Sequence, residues 1–253
     1  MTVPADWLVP DWEVPANVRA VCSTRAGGFS RGAYESLNLG DHVGDEPQRV
    51  AQNRAAFAQA LDARPVYMQQ VHGTQVAALD ADSRDGLTAD ACVTRQTGVA
   101  CTIMVADCLP LLFASRDGAV VGAAHAGWRG LSAGVVEAAA NAIASGAGGD
   151  TGALLVWLGP CIGPDAFEVG GEVKAAFEAT DAAAAKHFRA HREGKWLADL
   201  AALARMRLQA LRITRVWGND SSSAWCTASN PSRFFSHRRD GVSGRFAAGV
   251  WRT

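Results

Sequence analysis

Short apolar runs, rich in β-branched and small residues and bounded by Gly, Pro or Asp, recur along the chain. Runs of that length and composition read as strands. They cover Val18 to Ser23, Val66 to Val71, Gln75 to Leu79, Ala89 to Thr94, Cys101 to Val105, Ala119 to Ala124, Leu154 to Leu158, Ile213 to Trp217 and Phe246 to Trp251. The two runs at Cys101 and Ala119 carry no charge, the pattern of strands buried on both faces, and Arg116-Asp117-Gly118 marks a turn between them. Helical spacing predicts three further segments. Asp45 to Ala60 has Asp45 as a cap, Pro47 in the first turn, and Val50, Phe57 and Leu61 on one face. Trp128 to Ser145 is Ala-rich, with Leu131, Val135, Ala138, Ala139 and Ile143 in register, and its start at HAGWRG is a helix N-terminus, which attracts anions. Gly171 to Leu211 shows Val173, Ala176 and Phe177 on one face, then Leu200, Leu203, Met206 and Leu211 on another. Strands outnumber helices and do not alternate strictly with them. The fold expected is therefore α+β, with mixed sheets flanked by helices, rather than a doubly wound sheet.

At 253 residues and 49% hydrophobic the chain can bury a large core, and no linker or charge run divides it. One domain over 1–253 is expected, with 1–17 as an N-terminal extension. The net charge is -1 and the arginines are scattered, which excludes the basic stripe needed to hold a nucleic acid backbone. The opening MTVPADWLVPDWEVP is acidic and Pro-rich, unlike a secretory signal, and no run reaches membrane-spanning length, so a cytoplasmic protein with no membrane contact is expected. Six cysteines, at 22, 92, 101, 108, 161 and 226, lie in apolar contexts without the density of a disulfide scaffold, and free thiols are expected.

Candidate chemistry gathers at three strand ends. Cys108 follows the Cys101 run, His125 ends the Ala119 run, and His72 ends the Val66 run just before Gly73. Two imidazoles and one thiolate suit zinc with a fourth position open to water or substrate. The same residues also suit a Cys108 nucleophile with His125 or His72 as base. Unrelated buried side chains are the third reading, since the separations are far wider than those of a zinc finger. Cys161 stands at a similar strand end, opening GPCIGPDAFEVG. In the loop TRAGGFSRGAYESLNLG, Arg25 and the amides around Gly27 and Gly28 either bind an anion or simply turn the chain.

QVHGTQV, ADCLPLLF, HAGWRGL, LGPCIGPDAFEVG and FFSHRRDGVSGR, with STRAGGFS and SLNLGDHVGD upstream, resemble the YfiH-type family, also called the laccase-domain or polyphenol oxidoreductase family. The resemblance runs from about Ala20 to the C-terminus. It implies a purine nucleoside phosphorylase of broad specificity, acting on adenosine, inosine, guanosine and methylthioadenosine, with adenosine deaminase activity and a bound zinc. His72, Cys108 and His125 match the family's metal ligands, and all three are present. Arg25 is expected to contact phosphate, and Asn38 and Gln70 the nucleoside; a monomer is expected. The family's older name implies copper oxidation of phenols, but six histidines in all are too few for the clusters of a multicopper oxidase, leaving at most one soft site that takes copper. The resemblance also implies a fold shared with cysteine hydrolase-like toxins and keeps open a Cys-His hydrolase that edits peptidoglycan precursors. A non-catalytic binding module is the remaining class.

Overall fold

The computed structural model describes residues 3–253. In chain order the strands are β1 (Val18–Cys22), β2 (Arg64–Tyr67), β3 (Val76–Leu79), β4 (Ala91–Thr94), β5 (Val99–Val105), β6 (Leu109–Ala114), β7 (Val121–Ala126), β8 (Leu155–Leu158), β9 (Glu168–Gly170), β10 (Phe188–Ala190), β11 (Lys195–Ala198), β12 (Arg215–Gly218) and β13 (Phe246–Arg252). The helices are α1 (Pro47–Leu61), α2 (Trp128–Ala133), α3 (Val135–Ser145), α4 (Gly171–Glu178), α5 (Leu200–Ala210) and α6 (His237–Asp240).

Two mixed sheets form the centre, one four-stranded in the order β1-β13-β5-β2 and one six-stranded in the order β12-β8-β6-β7-β4-β3. In each, parallel pairs at the edges (β2 with β5, β3 with β4, β12 with β8) join antiparallel pairs inside, which makes the fold α+β with mixed sheets. The period of two along the strands decides what lies between the sheets. Cys101, Ile103 and Val105 of β5 face Leu112 and Ala114 of β6 and Val121 and Ala123 of β7 in one apolar layer. The alternate residues face outward. Ala100 and Met104 meet Phe57 and Leu61 of α1, while Leu111 and Phe113 meet Val136, Ala139 and Ile143 of α3 and Leu203 of α5. The result is a helix, sheet, sheet, helix sandwich. Residues ahead of β1 join its core, with Trp7 stacked on Phe57 at 5.3 Å and Leu8 bridged to Cys22. Among the described residues no helix is long and apolar enough to cross a membrane.

The helical segments depart from the pattern in identifiable ways. Asp45 does not cap α1: its carboxylate accepts from Ser30 and Asn38, and Glu46 takes the cap position without a side-chain bond. The segment from Trp128 to Ser145 breaks at Gly134, whose φ of 103° only glycine adopts readily, so α2 and α3 are separate helices. Gly171 to Leu211 is not one helical run. Its middle, Phe188 to Ala198, turns back at Gly194 as the hairpin β10–β11 and pairs with β9 in a small third sheet. The run after Cys108, unassigned by its pattern, is the central strand β6. Pro110 is tolerated there because the Gly159 carbonyl opposite it accepts from the Asn219 side-chain amide at 2.9 Å instead.

Candidate metal centre

β5 and β6 leave the sheets toward the same end of the sandwich, and the turn between them holds Asp107 and Cys108. Asp107 has φ 90°, a conformation that Asp and Asn tolerate better than other side chains. Its carboxylate fastens the turn to distant segments, accepting from the Thr227 hydroxyl at 2.6 Å and from the Arg238 backbone N–H at 2.7 Å. His125 sits near the end of β7, directly across from Pro110 of β6. His72 lies in the loop after β2, also left-handed at φ 61°.

One carboxylate organises both histidines. Asp90, fully buried just before β4, accepts from the backbone N–H groups of Val71 (3.2 Å), His72 (2.8 Å) and Gly73 (2.6 Å) and from His125 Nδ1 at 2.9 Å. It thereby holds the His72 loop in its left-handed turn and leaves Nε2 of His125 as the nitrogen available to a metal. The Cys108 Sγ lies 3.7 Å from His72 Nε2, the two imidazoles meet edge to face at 4.8 Å, and the three ligand atoms all fall within 4.8 Å of one another. Tetrahedral zinc, with bonds of about 2.3 Å to sulfur and about 2.0 Å to nitrogen, wants its ligand atoms about 3.5 Å apart, so the set fits with small side-chain adjustments. Gly127 makes the approach possible: a Cβ there would fall 2.5 Å from His72 Cδ2 and 3.0 Å from Cys108 Sγ.

Charge is already arranged for ligation. Burial pushes the Cys108 thiol up, but His125 and His72 outweigh it and bring it down to about 6. Burial likewise disfavours charged His125, yet Cys108 and Asp90 raise it to about 9. Without metal, the pair is therefore a thiolate and an imidazolium between those values, and metal entry expels the imidazolium proton. Burial raises the Cys22, Cys101 and Cys161 thiols instead. Iodoacetamide at pH 7 should accordingly label metal-free protein at Cys108 first, and zinc should suppress that labelling. Mass spectrometry of the peptides reads this directly, and preferential labelling of Cys22, Cys101 or Cys161 would contradict it.

His72, Cys108 and His125 line a cavity of about 430 Å³, shared with Trp128, Phe167, His42, His237, Arg238 and Arg245. Of the other residues expected at the site, Gln70 reaches the cavity wall, but both ends of its amide are bonded to the Met104 backbone, at 2.8 and 2.9 Å. Asn38 and Arg25 lie outside the lining. Asn38 is fully buried, with its amide engaged by Gly40, Asp45 and Arg245. The Arg25 guanidinium donates to the carbonyls of Glu35 and Pro231 and lies over Phe235, because its loop folds back onto the C-terminal segment. Asp90, Asp107 and Arg245 were given no role by the pattern reading. Asp107 and Arg245 stand within the motifs ADCLPLLF and FFSHRRDGVSGR, and Asp90 is a lone carboxylate in an apolar run.

Residues 19–253 match the family model described as multi-copper polyphenol oxidoreductase laccase. The chain belongs to that laccase family. A relative from Pseudomonas aeruginosa, named purine nucleoside phosphorylase PA4543, is 51% identical over 246 residues, covering 97% of this chain and 98% of its own. The purine nucleoside phosphorylase YfiH of Escherichia coli is 46% identical over 246 residues, covering 96% of this chain and 98% of its own. Among solved structures, protein NMB0706 of Neisseria meningitidis superposes with a TM-score of 0.90 at 44% identity, covering 98% of this chain and 99% of that one. YlmD of Geobacillus stearothermophilus superposes with a TM-score of 0.87 at 30% identity, covering 94% and 92%. The fold is therefore that of the YfiH-type laccase-family proteins. The word multi-copper sits poorly with this member's donors. His42 and His237 share the cavity but do not join the cluster, and His72-Cys108-His125 is the one group of three or more such ligands among the described residues.

Proposed function

We propose that this laccase-family chain is a zinc-dependent purine nucleoside phosphorylase of broad specificity, accepting adenosine, inosine, guanosine and methylthioadenosine, that also deaminates adenosine. The observation that carries the reading is the open His72-Cys108-His125 set at a cavity that also holds aromatic and cationic side chains. The names of the relatives support the same reaction class. One thiolate and two imidazoles fit zinc better than the clusters of a multicopper oxidase, though a single such site would also take copper and oxidise phenols weakly. A zinc held there supplies a Lewis acid with one open position.

The chain's own residues do the remaining work. Trp128 and Phe167 offer apolar faces to a purine, and Arg238, whose guanidinium lies 5.4 Å from the Phe167 ring centre, brings positive charge beside one of them. Phosphorolysis needs an anion oriented against the anomeric carbon, and deamination needs water at the purine ring; both are tasks of position and charge within one cavity. The reading takes the enzyme to be a monomer acting in the cytoplasm. The reading predicts competition. Raising phosphate should lower the yield of inosine from adenosine while adenine rises, measured by chromatography of the products. Product ratios indifferent to phosphate would refute a shared site.

A second reading has its own support. Asp90, His125 and Cys108 stand in the order acid, base, nucleophile, with the Asp90–His125 bond at 2.9 Å and the thiol lowered to about 6, the arrangement of a cysteine hydrolase acting on peptidoglycan precursors. Metal removal separates the two: a hydrolase keeps turnover in metal-free protein, whereas the phosphorylase loses it without unfolding.

A further inference from the structure

Arg245 lines the cavity from the segment just ahead of β13. Its backbone is gripped on both sides, the N–H donating to Asn38 Oδ1 at 2.8 Å and the carbonyl accepting from the Leu39 N–H at 2.9 Å. Its stem lies in space that Gly40 leaves empty, where a Cβ would fall 2.9 Å from Arg245 Cγ. One arm of the guanidinium is used: Nη1 donates to the carbonyls of Ser243 (2.9 Å) and Gly244 (3.0 Å). Nε and Nη2 meet no protein acceptor among the described residues, and no carboxylate comes within ion-pair distance.

A half-buried guanidinium needs a counter-charge. The negative groups close enough to favour its charged form are Cys108 and Asp107, with the Tyr34 hydroxyl. Both Asp107 oxygens already accept, from Thr227 and from the Arg238 backbone, and a metal on Cys108 would take up the thiolate charge. Nε and Nη2 are thus left without a partner on a side chain that lines the cavity with Arg238 and His237, and paired guanidinium donors of this kind bind a tetrahedral oxyanion.

We propose that Arg245 is the residue that binds the inorganic phosphate co-substrate, with Arg238 and His237 beside it, and that Asn38 serves the reaction only by holding Arg245 in place. The proposal rests on the phosphorylase reading above and replaces Arg25 as the phosphate contact.

Inorganic phosphate is titrated into zinc-loaded wild-type protein, Arg245→Gln, Arg245→Lys and Arg25→Gln, following the Tm and the phosphate KM with inosine. Arg245→Gln should raise the phosphate KM about tenfold or more and erase the phosphate-dependent rise in Tm, because the fork is lost while the stem remains. Arg245→Lys should fall between, keeping charge without the fork. Arg25→Gln should retain the wild-type response to phosphate. Zinc content equal to wild type certifies that each variant is folded. A normal phosphate response in Arg245→Gln, or its loss in Arg25→Gln instead, overturns the proposal even if phosphorolysis is confirmed. Should wild-type protein cleave no nucleoside, the phosphorylase reading fails, and the Tm arm still decides: stabilisation by phosphate that disappears in Arg245→Gln upholds the anion site, and stabilisation that persists, or is absent from wild type, refutes it.

Discussion

Cys108→Ala protein is expected to fold, to lose its zinc on dialysis, and to show no phosphorolysis or deamination above background. Cys108 is the sole thiolate in the cluster and is already poised as one, held down to about 6 by the two histidines. Removing it leaves two imidazoles and no thiolate, and losing one of three ligands should weaken binding by roughly a hundredfold or more. The fold should survive because Cys108 sits half-buried in a turn at the cavity, only at the margin of the apolar layer between the sheets. Truncating a half-buried turn residue of this size costs about 1 kcal/mol. Metal analysis after dialysis, together with Tm compared against metal-free wild type, checks both halves. Stoichiometric zinc in the Cys108→Ala protein would show that the assignment of this ligand is wrong.

Asp90→Asn should damage the site almost as much without touching a ligand. The carboxylate accepts four hydrogen bonds, three from backbone N–H groups and one from His125, and an amide can accept through one oxygen only. Its amide N–H groups would be turned against donors, leaving buried N–H groups unpaired at about 1–3 kcal/mol. The consequence passes to the metal through both histidines at once: the His72 loop loses the anchor of its left-handed turn, and His125 loses the partner that sets its tautomer. Zinc affinity should fall about 10- to 100-fold, read by competition with a chromophoric chelator. The pH dependence has a definite sign. Burial opposes the charge on Asp90, but its hydrogen bonds to His125 and to the backbone outweigh burial and hold the carboxyl below its ordinary value of 3.8. Its contribution to stability is therefore present above 3.8 and is lost as pH falls through the lower folded value, so the Tm gap between wild type and Asp90→Asn should narrow in strong acid. A variant with wild-type zinc affinity would mean that the histidines are positioned by packing alone.

The local pattern carried most of the sandwich because burial writes itself into neighbouring residues. The uncharged apolar run of β5 and the spacing of Phe57 and Leu61 on α1 are consequences of which faces each element buries. The pattern failed where a single residue overrides the period, as at Gly134, or where a hairpin interrupts a helical stretch, as at Gly194. For the metal centre, the residue types His72, Cys108 and His125 could be read from strand ends and from family motifs, since ligands must be those few side chains. That they come together, and what holds them there, was decided by the fold. Asp90 reaches back to His72 and forward to His125, and Arg245 is placed by Asn38, 207 residues away in the chain. Such contacts leave no periodic trace, because a hydrogen bond between distant segments constrains one position in each and nothing beside it. The three residue types of the candidate site were therefore legible in the chain, whereas the carboxylate that orients two of them and the cation that shares their cavity were decided by packing distant segments against one another.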